Sequence, residues 1–171
     1  MARNRKADKP LVQEYSLRPI GIIHSPFKNI QGVPIQPVAG QGIEGIVSVA
    51  SEFADGLKDL EGFSHIILIY YFHLSKGYRL KVKPFLDKTE RGVFATRAPK
   101  RPNPIGISIV KLKKIQKNQL YVENIDIIDG TPLLDIKPYV PKFDLIRTKS
   151  IGWLGSKVDR ATMVKSDKRF K

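Results

Sequence analysis

The chain has 171 residues, enough for one domain of ordinary size with a buried core and too few for two large ones. Cysteine is absent, which excludes disulfide staples, cysteine nucleophiles, thiolate zinc sites and cysteine-held iron–sulfur clusters. Lys and Arg number 30 against 16 Asp and Glu, a formal charge of +14 that points to a polyanionic partner: RNA, DNA or, more weakly, an anionic membrane.

No run reaches the roughly 20 apolar residues of a membrane-spanning helix. Residues 1–10 are basic and lack the apolar stretch of a signal peptide, so the expected location is cytoplasmic. From residue 17 onward the chain shows strand-length apolar runs punctuated by Gly and Pro, with little helical periodicity. Strands are predicted over 17–24, 45–49, 65–72, 92–96, 107–115, 120–122 and 133–136, giving a mainly β domain. One short helix is predicted between Ala50 and Leu60, capped by Ser51, with Phe53, Leu57 and Leu60 on one face.

The run Ile66-Ile67-Leu68-Ile69-Tyr70-Tyr71-Phe72 is apolar without alternation, as in a strand covered on both faces, one of them by a partner subunit. In 107–115 the alternation falters at Val110 and Leu112, which predicts a bulge or cover on both faces. Pro26, Pro34 and Pro37, with glycines nearby, make 26–42 a binding loop. Both ends, 1–9 and 165–171, are expected to fray as basic arms.

Gly40-Gln41-Gly42-Ile43-Glu44-Gly45 matches a dinucleotide fingerprint in form only. That motif works between a strand and a helix N-terminus, whereas here Pro37 precedes it and a β-like stretch follows, so the glycines are expected to make a turn. The histidines His24, His65 and His73 show no metal-binding spacing, and no metal is expected. His73 closes the most apolar strand, where it could contact a ligand or be a satisfied core histidine.

Two segments carry chemistry. Ala95-Thr96-Arg97-Ala98-Pro99-Lys100-Arg101-Pro102-Asn103-Pro104-Ile105-Gly106 is stiffened by three prolines, which fix where the Arg97 and Arg101 guanidinia project. Arginine pairs bidentately with carboxylate or phosphate and stacks on bases; the plain alternative is an ordinary Pro-rich surface loop. In Asn124-Ile125-Asp126-Ile127-Ile128-Asp129-Gly130-Thr131-Pro132-Leu133-Leu134-Asp135, three carboxylates surround a predicted Asp-Gly turn. They could accept hydrogen bonds from a ribose or an amino group, serve as a base, or simply pair with surface cations.

These blocks, in this order, resemble a known family. Gly21-Ile22-Ile23-His24-Ser25-Pro26-Phe27, Gly62-Phe63-Ser64-His65 leading into Phe72-His73, Arg97 to Gly106, and Asp129-Gly130-Thr131-Pro132-Leu133-Leu134-Asp135-Ile136-Lys137-Pro138-Tyr139 look like the TrmO family, also called TsaA-like or YaeB-like, of S-adenosylmethionine-dependent tRNA methyltransferases. The match runs from Leu17 to Asp144 and divides the chain into a basic arm (1–16), a catalytic domain (17–144) and a short basic extension (145–171). The short extension resembles the archaeal-like form of the family rather than the bacterial form with its additional C-terminal domain.

The resemblance implies a compact, mostly antiparallel β-barrel working as a homodimer, with the cofactor near the subunit interface. The implied reaction methylates the N6 nitrogen of threonylcarbamoyladenosine at position 37, beside the tRNA anticodon. Carried over residue by residue, the S-adenosylmethionine pocket would include Pro34, Ile35, Gln36, His73, Arg97, Asp126, Ile127, Ile128, Asp129, Gly130 and Thr131. Arg101, Asn103 and Asp135 also fall on motif positions.

The acceptor nitrogen lies between an adenine ring and a carbonyl and is a poor nucleophile until its proton leaves. Asp129 and Asp135 are the candidate proton acceptors, His73 the reserve, while Arg97 would meet the cofactor carboxylate or charge developing on the urea oxygen. Lys76, Arg79, Lys81, Lys83, Lys88, Arg91, Lys100 and Arg101 are the candidate contacts to the anticodon loop, chiefly to its phosphates. The competing readings are a non-enzymatic β-barrel RNA-binding protein, which needs no donor pocket, and a small-molecule methyltransferase using the same cofactor.

Overall fold

The computed structural model describes residues 14–170. Six strands close into an antiparallel barrel: β1 (Gly21–His24), β2 (Glu44–Val49), β3 (His65–Tyr71), β6 (Ile105–Gln116), β7 (Gln119–Glu123) and β8 (Thr131–Pro138), in the spatial order β1-β2-β7-β6-β3-β8 with β8 returning to β1. The remaining two, β4 (Lys81–Val82) and β5 (Arg91–Gly92), form a separate two-stranded flap. A mainly β barrel was the expected class, and closure leaves these strands no free edge.

Alternation along each strand points one side chain in two at the axis. Ile23, Val47, Ile66, Leu68, Val110, Leu120, Val122 and Leu133 form a single buried core, joined from the loop by Ile125 and Ile127. The run 66–72 alternates in burial after all: Ile66, Leu68 and Tyr70 are buried, Ile67 and Ile69 half-buried, Tyr71 exposed. Across the pair β3–β6, Ile67 faces Ile109, Ile69 faces Ile107 and Tyr71 faces Ile105, so the outer surface of this hairpin is apolar too. Ile107 is 53% exposed there.

The expected irregularity in β6 falls between Leu112 and Lys114, where the register with β7 shifts by one residue. A second shift, between Ile69 and Tyr70 opposite β8, lies beside the site described below. The predicted helix of 50–60 is two short 3-10 turns, Ser51–Leu57 and Leu60–Gly62. Ala50, not Ser51, takes the N-cap position, and Asp59 at φ 66° breaks the segment before an α-helix can propagate. Among the described residues the one α-helical turn is Pro141–Asp144, where Val140 N–H donates to the Asp144 carboxylate at 2.7 Å.

The segment predicted as strand 92–96 is β5 followed by a 3-10 turn, Val93–Ala95, and the glycines of 40–45 do make a turn, with Gly42 at φ 77°. The N-terminal arm over 1–9 and Lys171 lie outside the described residues. The rest of the C-terminal end does not fray. Lys165 bridges to Pro34, Ser166 N–H donates to the Val33 carbonyl at 2.8 Å, and Phe170 is buried with Val82, Val93 and Ala98. Its apolar ring and the unpaired backbone of the 30–34 loop supply partners that charge composition alone does not reveal.

Candidate active site

A cavity of about 280 Å³ opens at one end of the barrel, between the loop 30–36, the end of β3, the start of β6 and the segment 126–131. Its polar wall is made by Gln36, His73, Arg97, Arg101, Asp126 and Thr131, and its apolar wall includes Pro34, Ile35, Phe72, Ile127 and Ile128. Of the eleven expected cofactor residues, nine therefore line one space; Asp129 and Gly130 stand outside the lining.

Arg97 leaves the Pro-rich loop with its guanidinium exposed, and Nη1 donates to Gln36 Oε1 at 2.7 Å. That bond joins the two loops that face each other across the cavity. Arg101 turns inward: its Nη1 donates to the Thr96 carbonyl at 3.1 Å and holds the loop's own backbone. Between them Thr96 Oγ1 donates to the Val93 carbonyl at 2.8 Å, so the proline-fixed loop is also pinned at its base.

Asp126 sits at the inner end. Ser108 Oγ donates to its Oδ1 at 2.6 Å, and the Tyr70 hydroxyl lies 3.1 Å from Ser108 Oγ. Burial pushes the Asp126 carboxyl up to about 6, while its bond from Ser108 and the nearby Arg97 charge work in the opposite direction. Burial, followed by the Asp126 charge, raises the Tyr70 hydroxyl further above its ordinary value. Gly106 makes room for this ring, since a β-carbon there would collide with Tyr70. His73 lines the cavity, and partial burial lowers its affinity for a proton, which favours the neutral ring.

The other two candidate bases lie elsewhere. Asp129 pairs with Lys28 at 2.7 Å and accepts the Ser25 amide at 3.0 Å, and the Lys28 bond above all holds its carboxyl below the usual range. It thereby closes the Asp-Gly turn onto the end of β1. Asp135, on β8, pairs with Lys137 at 2.7 Å and borders a different groove beside Phe53 and Phe63.

Among the expected RNA contacts, Lys76, Arg79, Lys81, Lys83 and Lys88 are exposed on and around the flap. Arg91 is half-buried, bonded to Asp87 at 2.7 Å and stacked 5.7 Å from the Trp153 ring; Lys100 is half-buried. Sequence reasoning missed Tyr70, Ser75, Ser166 and Phe170, which line the cavity, and Ser108, which is buried behind it and bonded to Asp126. Ser108 carried a signal: it is the one hydroxyl on the otherwise apolar inward face of β6. Ser166 and Phe170 carried none, because they reach the cavity from the far end of the chain.

Comparison with known proteins agrees with this architecture. Residues 22–145 match the model of the tRNA-methyltransferase O N-terminal domain. A probable S-adenosyl-L-methionine-binding protein of Pyrococcus abyssi is 57% identical over 153 residues, covering 90% of this chain and 83% of that protein. The tRNA (adenine(37)-N6)-methyltransferase of Escherichia coli is 37% identical over 140 residues, 76% of this chain and 60% of that one. The crystal structure of TrmO from Pseudomonas aeruginosa superposes with a TM-score of 0.69 at 36% identity, covering 82% of this chain and 63% of the crystal chain. This chain thus spans less than two thirds of the latter two. With more than half its residues matched, the chain belongs to the tRNA-methyltransferase O N-terminal domain family.

Proposed function

We propose that this protein transfers a methyl group from S-adenosylmethionine to the N6 nitrogen of adenosine 37 in tRNA, in its threonylcarbamoyl form. The observation that carries the reading is the pairing of one cavity, polar at Arg97 and Asp126 and apolar between them, with an exposed basic flap. The names of the relatives support the same chemistry.

The residues present fit such a cofactor. Ser75 Oγ is buried on the cavity wall with no hydrogen-bond partner among the described residues, a polar atom that a ligand can satisfy. Arg97, aligned by Gln36, would bind the methionine carboxylate through charge-assisted hydrogen bonds. Pro34, Ile35 and Ile127 offer apolar cover for a purine ring, and the exclusion of water there strengthens every polar contact. When bound, the sulfonium supplies an electrophilic methyl carbon, and the protein's task is to align the acceptor nitrogen with it and take up a proton.

The flap lysines and Arg79 would hold the phosphates of the anticodon loop, and a net charge of +14 would speed the encounter. A homodimer completes the reading. The apolar outer face of β3 and β6 would pair with its copy, and since Ile105 and Ile107 belong both to that face and to the cavity lining, the partner would stand at the cavity's edge. Light scattering behind a sizing column should give twice the chain mass.

The decisive experiment is mass spectrometry of tRNA nucleosides after incubation with protein and S-adenosylmethionine. One methylene added to the hypermodified adenosine is expected. Saturable cofactor uptake without methylated tRNA would favour a small-molecule methyltransferase, and tRNA binding without cofactor uptake a plain RNA-binding barrel.

A further inference from the structure

Tyr70 and Asp126 line the cavity, and Ser108, buried behind them, links the two in a chain of polar groups. Ser108 Oγ has one proton, and at 2.6 Å that proton points to Asp126 Oδ1. The Tyr70 hydroxyl, 3.1 Å from the same oxygen, must then be the donor of the second bond. The direction of donation is fixed: tyrosine to serine to carboxylate. A buried carboxylate at the end of two neutral donors carries a desolvation cost that these bonds only partly offset, the mark of a group kept for function.

We infer that Asp126 is the proton acceptor in methyl transfer, with Ser108 and Tyr70 as positioning residues that hold its carboxylate toward the cavity. The proposal rests on the function proposed above. In the step, the N6–H bond of the acceptor base breaks and its proton passes to the Asp126 carboxylate. The nitrogen lone pair forms the new N–CH3 bond, and the C–S bond breaks with its electron pair remaining on sulfur, leaving a neutral thioether. Asp126 afterwards returns its proton to solvent.

The position of the group agrees with this role in a way that Asp129 and Asp135 do not, since both of those are neutralised by lysines outside the cavity. The titratable and charged groups that interact with Asp126 are Tyr70 from β3 and Arg97 from the Pro-rich loop. With its carboxyl raised to about 6, Asp126 is mostly ionised at neutral pH and still basic enough to accept a proton.

The test compares the full chain with Asp126→Asn and Ser108→Ala in single-turnover methylation of tRNA across pH at saturating S-adenosylmethionine, alongside calorimetric cofactor affinity. The parent should show a rate that rises through a limb near pH 6. At saturating cofactor, where weaker cofactor binding cannot lower the rate, Asp126→Asn should lose about 100-fold or more in rate and lose the limb. Ser108→Ala keeps the carboxylate but removes a bond that favours its ionised form, so its limb should move to higher pH at unchanged cofactor affinity.

A rate loss under about thirtyfold in Asp126→Asn, or a limb that survives in that variant and vanishes in His73→Gln, overturns the assignment. If Asp126→Asn fails to fold, an unmoved limb in Ser108→Ala overturns it alone. A parent that neither binds cofactor nor methylates tRNA refutes the functional reading itself, a result distinct from an active parent with an active Asp126→Asn.

Discussion

The barrel and the rim of its cavity are built differently. In the barrel, six strands bury one continuous core in which Ile23, Ile66, Leu68, Leu120 and Leu133 have no exposed surface. Around the cavity, loops and the C-terminal segment rest on a second, much smaller cluster of Val82, Val93, Ala98 and Phe170, with Phe85 packed against it. Stability therefore resides where sequence-distant strands close on each other, and the candidate chemistry sits on segments that can change with little effect on the core.

That contrast is most easily broken at Leu68. Truncation of this buried β3 side chain to alanine should cost about 2–5 kcal/mol in urea unfolding, because a closed barrel cannot collapse around the void. A loss under about 1 kcal/mol would mean that the barrel is not the stable part. Asp126 should show the opposite sign. Its carboxyl binds a proton more tightly in the folded than in the unfolded chain, so the parent loses stability as pH rises from about 4 through 6 and does not regain it above. Asp126→Asn escapes this loss. It should unfold about 1–3 kcal/mol less readily than the parent at pH 8, with the gap shrinking toward pH 4.

Arg97→Ala sharpens the comparison from the rim. The guanidinium is exposed and bonded to Gln36, so unfolding should shift by no more than about 0.5 kcal/mol. Cofactor affinity should fall by about 1.5–3 kcal/mol, the scale of a charge-assisted hydrogen bond, read by calorimetry. An unaltered affinity would remove Arg97 from the binding wall.

The same division explains what the sequence disclosed. Strands were legible because apolar, largely β-branched runs of strand length stand between Gly and Pro punctuation, as in 45–49 and 107–115. Arg97 and Asp126 could be singled out because each stands in a segment of unusual local chemistry, and the family resemblance placed them in one pocket. Asp129 and Asp135 were equally acidic on paper. Only the fold shows that Lys28 and Lys137 take their charge away from the cavity. The helical reading of 50–60 failed for a local reason, a left-handed Asp59 that interrupts the repeat. Ser166 and Phe170 were beyond local reasoning, since their contacts lie more than 80 residues away in sequence, at Ile30, Val33 and Phe85.

Ending the chain after Met163 tests that long-range closure. The amides of Gly32 and Val33, which donate to Ser166 at 2.9 Å each, should lose their protection from hydrogen exchange while barrel amides keep theirs. The global unfolding free energy should fall by about 1 kcal/mol or less. Loss of protection throughout the barrel would show the two regions to be one cooperative unit.

The smallest effect belongs to the flap, and there the slope of binding against salt is more informative than affinity. Arg91 is a poor probe, because it is tied to Asp87 and stacked on Trp153, and its removal would disturb the flap itself. Lys81 and Lys83 are exposed, so the double alanine variant should leave unfolding unchanged within about 0.5 kcal/mol. If both meet phosphates of an unpaired loop, the log-log dependence of tRNA affinity on salt should flatten by roughly 0.7 for each, since each contact releases its condensed counterion. A weaker affinity with an unchanged slope would place the loss in shape or stacking, and the phosphate path would then run along Lys76, Arg79 and Lys88.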